Sequence, residues 1–139
     1  MTIEGSNPLL KPLLLMSHTD VTPAPPETYD RWTHPPFEGH VDDDYVWGRG
    51  ASDDKTLLVS QYAALSLLLE TPDWTPRRTI ILSHGFAEEE VHSQQGAVEI
   101  AKFLEERYGR DSMLLVIGGY SLLAIILAAR AGLTLFTYR

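Results

Sequence analysis

A chain of 139 residues, 44% hydrophobic and 22% charged, is long enough for one domain with a real core and has the balance of an ordinary globular protein. Its net charge of −8, from 11 basic against 19 acidic residues with no basic cluster, argues against nucleic acid as a partner, because phosphates must be met by Lys and Arg gathered on one face. The absence of cysteine excludes disulfides and thiolate metal sites, so any metal here must be held by histidine and carboxylate.

The opening residues, MTIEGSNPLLKPLLLMSH, lack the basic, apolar and small-residue order of a signal peptide. Leu13–Ser17, LLLMS, follows Pro12 and predicts a short buried strand that ends in HTD. Residues 21–36, VTPAPPETYDRWTHPP, are proline-rich and predict an extended loop, with Trp32 and Phe37 packing it down on the body. Asp42–Asp44 reads as a polar turn leading into a strand at Tyr45, Val46 and Trp47, and GRGAS then breaks the chain.

From Asp54 to Glu70 apolar residues recur at helical spacing: Leu57, Leu58, Tyr62, Leu65, Leu68 and Leu69. The pattern stops before Pro72. Arg78–Leu82 predicts the next strand. Gln94–Tyr108 predicts a second amphipathic helix, with Val98, Ala101, Phe103 and Leu104 inward and Gly109 as its stop. Met113–Ile117 predicts a further strand. The uncharged run from Met113 to Ala129 is at the lower edge of bilayer-spanning length, but Gly118, Gly119 and Ser121 interrupt it, so a buried strand followed by an apolar helix is expected and a membrane span is not. Strands alternating with helices predict an α/β layer around a largely buried sheet.

Three polar stations follow strand ends or the turns after them: SHTD with His18 and Asp20, GRGASDDK with Asp53 and Asp54, and FAEEEVH with Glu88, Glu89, Glu90 and His92. Each has an ordinary reading by itself. A lone histidine at a strand end is commonly a hydrogen-bonded core residue. GRGASDDK could be a glycine-rich phosphate loop, although it lacks the GK[ST] ending. Adjacent glutamates commonly open a helix, where its dipole favours negative charge. Ligands in α/β sheets bind at the carboxyl ends of the strands, so convergence of the three stations would make a hard-cation site suited to zinc.

The order and separation of HTDVTP, WTHPPF, GRGASDDK and EEEVHSQQGA resemble the motifs HxDVVP, W-x-x-P-F, GRGA-x-D-x-K and DEE-x-x-G-x-x-GA of the carboxypeptidase S branch of the aminoacylase-type di-zinc peptidases. The resemblance runs from about Glu4 to Ile117. It implies a partial three-layer zinc-exopeptidase-like catalytic domain, with a mainly parallel or mixed sheet flanked by helices. His18 would then bind one zinc with Asp20 as its orienting partner, Asp53 would bridge two zincs, Glu89 would be the general base, and Glu90 would bind the second zinc. Asp54 would be a neighbour of the bridging residue, and Glu88 stands where the family has Asp. The implied substrates are short peptides or N-acyl amino acids, hydrolysed at the amide before a C-terminal residue, and the implied compartment is vacuolar or secretory.

The chain departs from that family where a further acidic ligand, in a motif like V-D-E-G-G, is replaced by Leu115-Val116-Ile117-Gly118-Gly119. The family's distant histidine ligand and its lid or dimerisation domain have no counterpart, which predicts reduced zinc occupancy and impaired activity. His84 and His92 are the available substitutes. Residues 1–117 are expected to form an incomplete catalytic domain and residues 118–139 a divergent apolar tail. Apolar surface left bare by missing strands is expected to favour self-association.

Overall fold

A computed structural model describes residues 1–89 and 95–117. Four strands, β1 (Thr2–Ile3), β2 (Leu13–His18), β3 (Ile80–Gly85) and β4 (Leu114–Ile117), make one mixed sheet in the order β1-β3-β2-β4. β2 lies parallel to β3, from Leu13 opposite Ile80 to His18 opposite Gly85, and parallel to β4, while β1 caps the β3 edge in the antiparallel sense.

β2 is central, and its three consecutive leucines explain why. Leu13, Leu14 and Leu15 are all buried, as are Ile80, Ile81 and Leu82 beside them, so both faces of the β2–β3 pair are covered along these residues. Alternation divides these residues between two helices. Leu13, Leu15, Ile80 and Leu82 pack with Leu65 of α1 (Thr56–Leu69), whereas Leu14 and Ile81 pack with Leu104 of α2 (Ala97–Tyr108). The result is helix, sheet, helix, as the resemblance implied.

Several expectations need correction. On α2 the inward stripe is Ile100, Leu104 and Tyr108, spaced four apart over Leu14 and Ile81, so Val98, Ala101 and Phe103 turn to solvent. On α1 the buried stripe is Gln61, Ala64, Leu65 and Leu68, with Gln61 Nε2 donating to Met16 O at 2.8 Å, while Tyr62 and Leu69 are exposed. Phe37 is exposed too. Trp32 is half-buried under the Arg49 guanidinium, and Pro36 is the residue that packs the loop down. Tyr45–Trp47 forms no strand, only an isolated bridge between Val41 and Val46. Among the described residues no helix is long and apolar enough to cross a membrane, and most of Met113–Ala129 lies outside them.

Candidate metal centre

Because β2 and β3 run parallel in register, their carboxyl ends fall at the same edge of the sheet. His18 is the last residue of β2, and Glu88 and Glu89 follow the end of β3. The chain between them supplies Asp53, on a wide turn, Ala51–Lys55, that precedes α1. Gly50 opens this turn at φ +83°, a left-handed conformation that glycine adopts without a Cβ penalty. The peptide between Asp53 and Asp54 is cis.

Here the stations meet. One ligand atom each from His18, Asp53 and Glu89 lies within 4.8 Å of the others. His18 is 7% exposed, and its Nε2 stands 2.9 Å from Asp53 Oδ1 and 3.7 Å from Glu88 Oε2. Its Nδ1 is 3.1 Å from the Asp20 carbonyl oxygen, which fixes that nitrogen as the N–H donor and aims Nε2 at the carboxylates. The His18 backbone N–H donates to Asp54 Oδ2 at 3.1 Å, so adjacent aspartates hold different parts of one residue. Asp20 Oδ2 accepts the Glu89 N–H at 3.0 Å and thereby ties the third station to the first. Asp20 Oδ1 is buried and unpartnered, 3.4 Å from His18 Nδ1.

The electrostatics follow from this crowding. Burial by itself would lower the His18 pKa, but the Asp53 hydrogen bond, the Glu88 charge and the Asp20 carbonyl outweigh it, and the imidazole titrates above its usual value. Burial would raise Asp20, yet the backbone N–H groups of Glu89 and Glu88 hold it below the ordinary carboxylate range. Burial pushes Asp54 up, and the His18 N–H opposes without cancelling it. Carboxylates around an imidazole drawn toward the charged state form a pocket that favours a cation.

His84 is not part of this group. Its Nδ1 meets Ser17 Oγ and its ring stacks toward Tyr62 of α1, on the face opposite His18, because successive strand residues alternate. Glu90 and His92 lie outside the described residues. Sequence reasoning treated Asp54 only as a neighbour. Its grip on the His18 N–H, across 36 positions of chain, had no local signal.

Two solved structures share this arrangement of strands and helices, which defines the fold. A metallo-carboxypeptidase, Sso-CP2 of Sulfolobus solfataricus, matches with a TM-score of 0.64 at 23% identity over 86% of this chain and 25% of its own. Human carnosine dipeptidase 1 matches with a TM-score of 0.65 at 24% identity over 84% of this chain and 24% of its own. Residues 14–130 match the family described as Peptidase family M20/M25/M40, and the chain belongs to that family. Carboxypeptidase S of Saccharomyces cerevisiae is 49% identical over 84% of this chain and 20% of its own length, and human N-fatty-acyl-amino acid synthase/hydrolase PM20D1 is 41% identical over 87% and 23%. The chain thus spans about a fifth of the length of these relatives.

Proposed function

We propose that this chain carries part of the catalytic surface of a zinc-dependent hydrolase acting on the amide before a C-terminal residue, in short peptides or N-acyl amino acids. The observation that carries the reading is the meeting of His18, Asp53 and Glu89 within 4.8 Å at the sheet edge. The donor set suits the metal, since one imidazole and carboxylates are zinc's usual nitrogen and oxygen ligands. The names of the yeast and human relatives supply the substrate classes.

In this reading His18 and Asp53 would hold one ion, and Asp53 and Glu90 would serve a second. Zinc, when bound, supplies a positive centre that acidifies water and polarises a carbonyl. Glu89 accepts the proton of the attacking water and passes it to the departing amine. Asp20 is a positioning residue for both partners: its carbonyl takes the His18 Nδ1–H, and its carboxylate takes the Glu89 N–H. In the same reading residues 1–117 are an incomplete catalytic domain, residues 118–139 a divergent apolar tail, and the compartment vacuolar or secretory.

A second reading, a non-catalytic fragment with a weak vestigial site, draws on one observation: Leu115, Val116 and Ile117 stand where the family pattern has a carboxylate. We favour the first reading as the label of the family and the second as the behaviour of this polypeptide, a hydrolase by ancestry with weakened zinc binding. Calorimetric titration with zinc, combined with release of amino acid from a dipeptide and an N-acyl amino acid, separates the readings. Saturable zinc binding with zinc-dependent hydrolysis that falls about 100-fold or more in Glu89→Gln supports the enzyme. Loss of hydrolysis with zinc binding retained is the expected signature of that variant. No zinc-dependent hydrolysis in the parent chain leaves only the vestigial site.

A further inference from the structure

A second group of metal-ligating side chains lies away from the His18 site. His34 lies near the end of the proline-rich loop, and His40 and Asp42 lie on the turn that follows Phe37; one ligand atom from each falls within 4.8 Å of the other two. The His34 and His40 rings stack with centroids 3.8 Å apart and planes 15° from parallel. One nitrogen of each ring lies within 4.8 Å of the other and of an Asp42 carboxylate oxygen, and rotation about χ2, a broad torsion for histidine, is the adjustment that would aim both at one ion.

Asp42 is built in place. Its Oδ1 accepts the backbone N–H groups of Asp44 at 2.9 Å and Tyr45 at 2.7 Å, and its Oδ2 accepts Trp47 Nε1 at 2.6 Å. Three of four lone-pair positions are thereby filled, which leaves one on Oδ2 for a further partner. The Trp47 hydrogen bond, then the two N–H groups, hold this carboxyl below its ordinary range. The backbone of the turn is fixed from both ends, because Trp47 N–H donates to His40 O at 2.8 Å and Asp42 N–H donates to Tyr45 O at 3.0 Å. Asp43 and Asp44 add negative charge beside it.

We propose that His34, His40 and Asp42 form a second metal site, which takes one divalent transition-metal ion of the zinc class and clips the proline-rich loop to the following turn. Two imidazoles and one carboxylate select a borderline d-block ion over calcium or magnesium, which prefer all-oxygen ligands. Trp47 plays the outer role that orients a ligating carboxylate. The ion's task is structural. It ties Asp42 to His34, which lines a groove of about 360 Å³ together with Trp32, Val46 and Trp47. Water or a small anion would complete its coordination. The site does not depend on the hydrolase reading.

The test is an NMR titration of the full chain, labelled in its histidine and tryptophan side chains, with zinc ion alone. The His34 and His40 imidazole signals are expected to shift together with one binding constant, and the Trp47 indole N–H with them. His40→Gln is expected to weaken the zinc response of His34 by about tenfold or more, and His34→Gln to do the same to His40. Sheet amide signals serve as the check that each variant is folded. A response confined to His18, or His34 and His40 responding independently of one another, overturns the proposal.

Discussion

Gly50 offers a quantitative test of how the turn carrying Asp53 is built. At φ +83° any L side chain is strained, at a cost of about 1–2 kcal/mol. In addition, a Cβ on Gly50 would lie 2.4 Å from Val21 Cγ1, whose half-buried, β-branched side chain gives way poorly, and overpacking of this kind adds about 1–3 kcal/mol. The Lys55 Nζ at 3.3 Å can move aside. Gly39 is the natural control, since it has φ +69° but nothing within 4 Å of its would-be Cβ. Gly50→Ala should therefore destabilise by about 2–5 kcal/mol and Gly39→Ala by about 1–2 kcal/mol. Val21→Ala should recover the clash but not the strain. Urea unfolding of the four single and double variants, followed by circular dichroism, gives the coupling energy as a double-mutant cycle. Zinc affinity at the His18 site, read on the same samples from the His18 imidazole signal, should fall in variants carrying Gly50→Ala and not in Gly39→Ala, because Asp53 is three residues from Gly50. Equal losses for the two glycine variants, or no coupling between residues 21 and 50, would refute the packing argument.

Leu65 is 2% exposed among Leu13, Leu15, Ile80 and Leu82, so Leu65→Ala should cost about 2–5 kcal/mol, whereas Leu69, 56% exposed on the same helix, should cost less than about 0.5 kcal/mol; urea midpoints decide. Burial, and then the Met1 ammonium, hold the His84 pKa below its ordinary 6.5, with Asp54 opposing. The unfolded chain therefore takes up the His84 proton first, and stability should decline as pH drops below 6.5 toward the folded value; His84→Gln should flatten that limb in urea midpoints measured at successive pH values. Glu89→Gln should retain zinc by calorimetry while losing about 100-fold or more in zinc-dependent hydrolysis.

The central strands were legible because the leucines of β2 and the isoleucines and leucine of β3 form unbroken apolar runs, which only a sheet covered on both faces can bury. β1 was not, since two residues carry no period and owe their pairing to Ile80 and Ile81. Tyr45–Trp47 has strand-forming residues, yet Asp42 takes the N–H groups of Asp44 and Tyr45 that a neighbouring strand would need. The inward face of α2 was misjudged because its stripe of every fourth residue from Ile100 to Tyr108 sits one position away from Ala101 and Phe103. For the candidate site, the strand-end positions of His18 and Glu89 followed from the pattern of runs and turns. The links that orient them, Asp54 to the His18 N–H and Asp20 to the Glu89 N–H, join residues far apart in sequence and leave no mark in any local pattern.

The most direct measurement is an anomalous difference map at the zinc edge from a zinc-soaked crystal of this chain. The account predicts a peak about 2.0–2.2 Å from both His18 Nε2 and an Asp53 carboxylate oxygen, with the Glu89 side chain beside it. A map with no peak there, under conditions where zinc is bound elsewhere on the molecule, would contradict it.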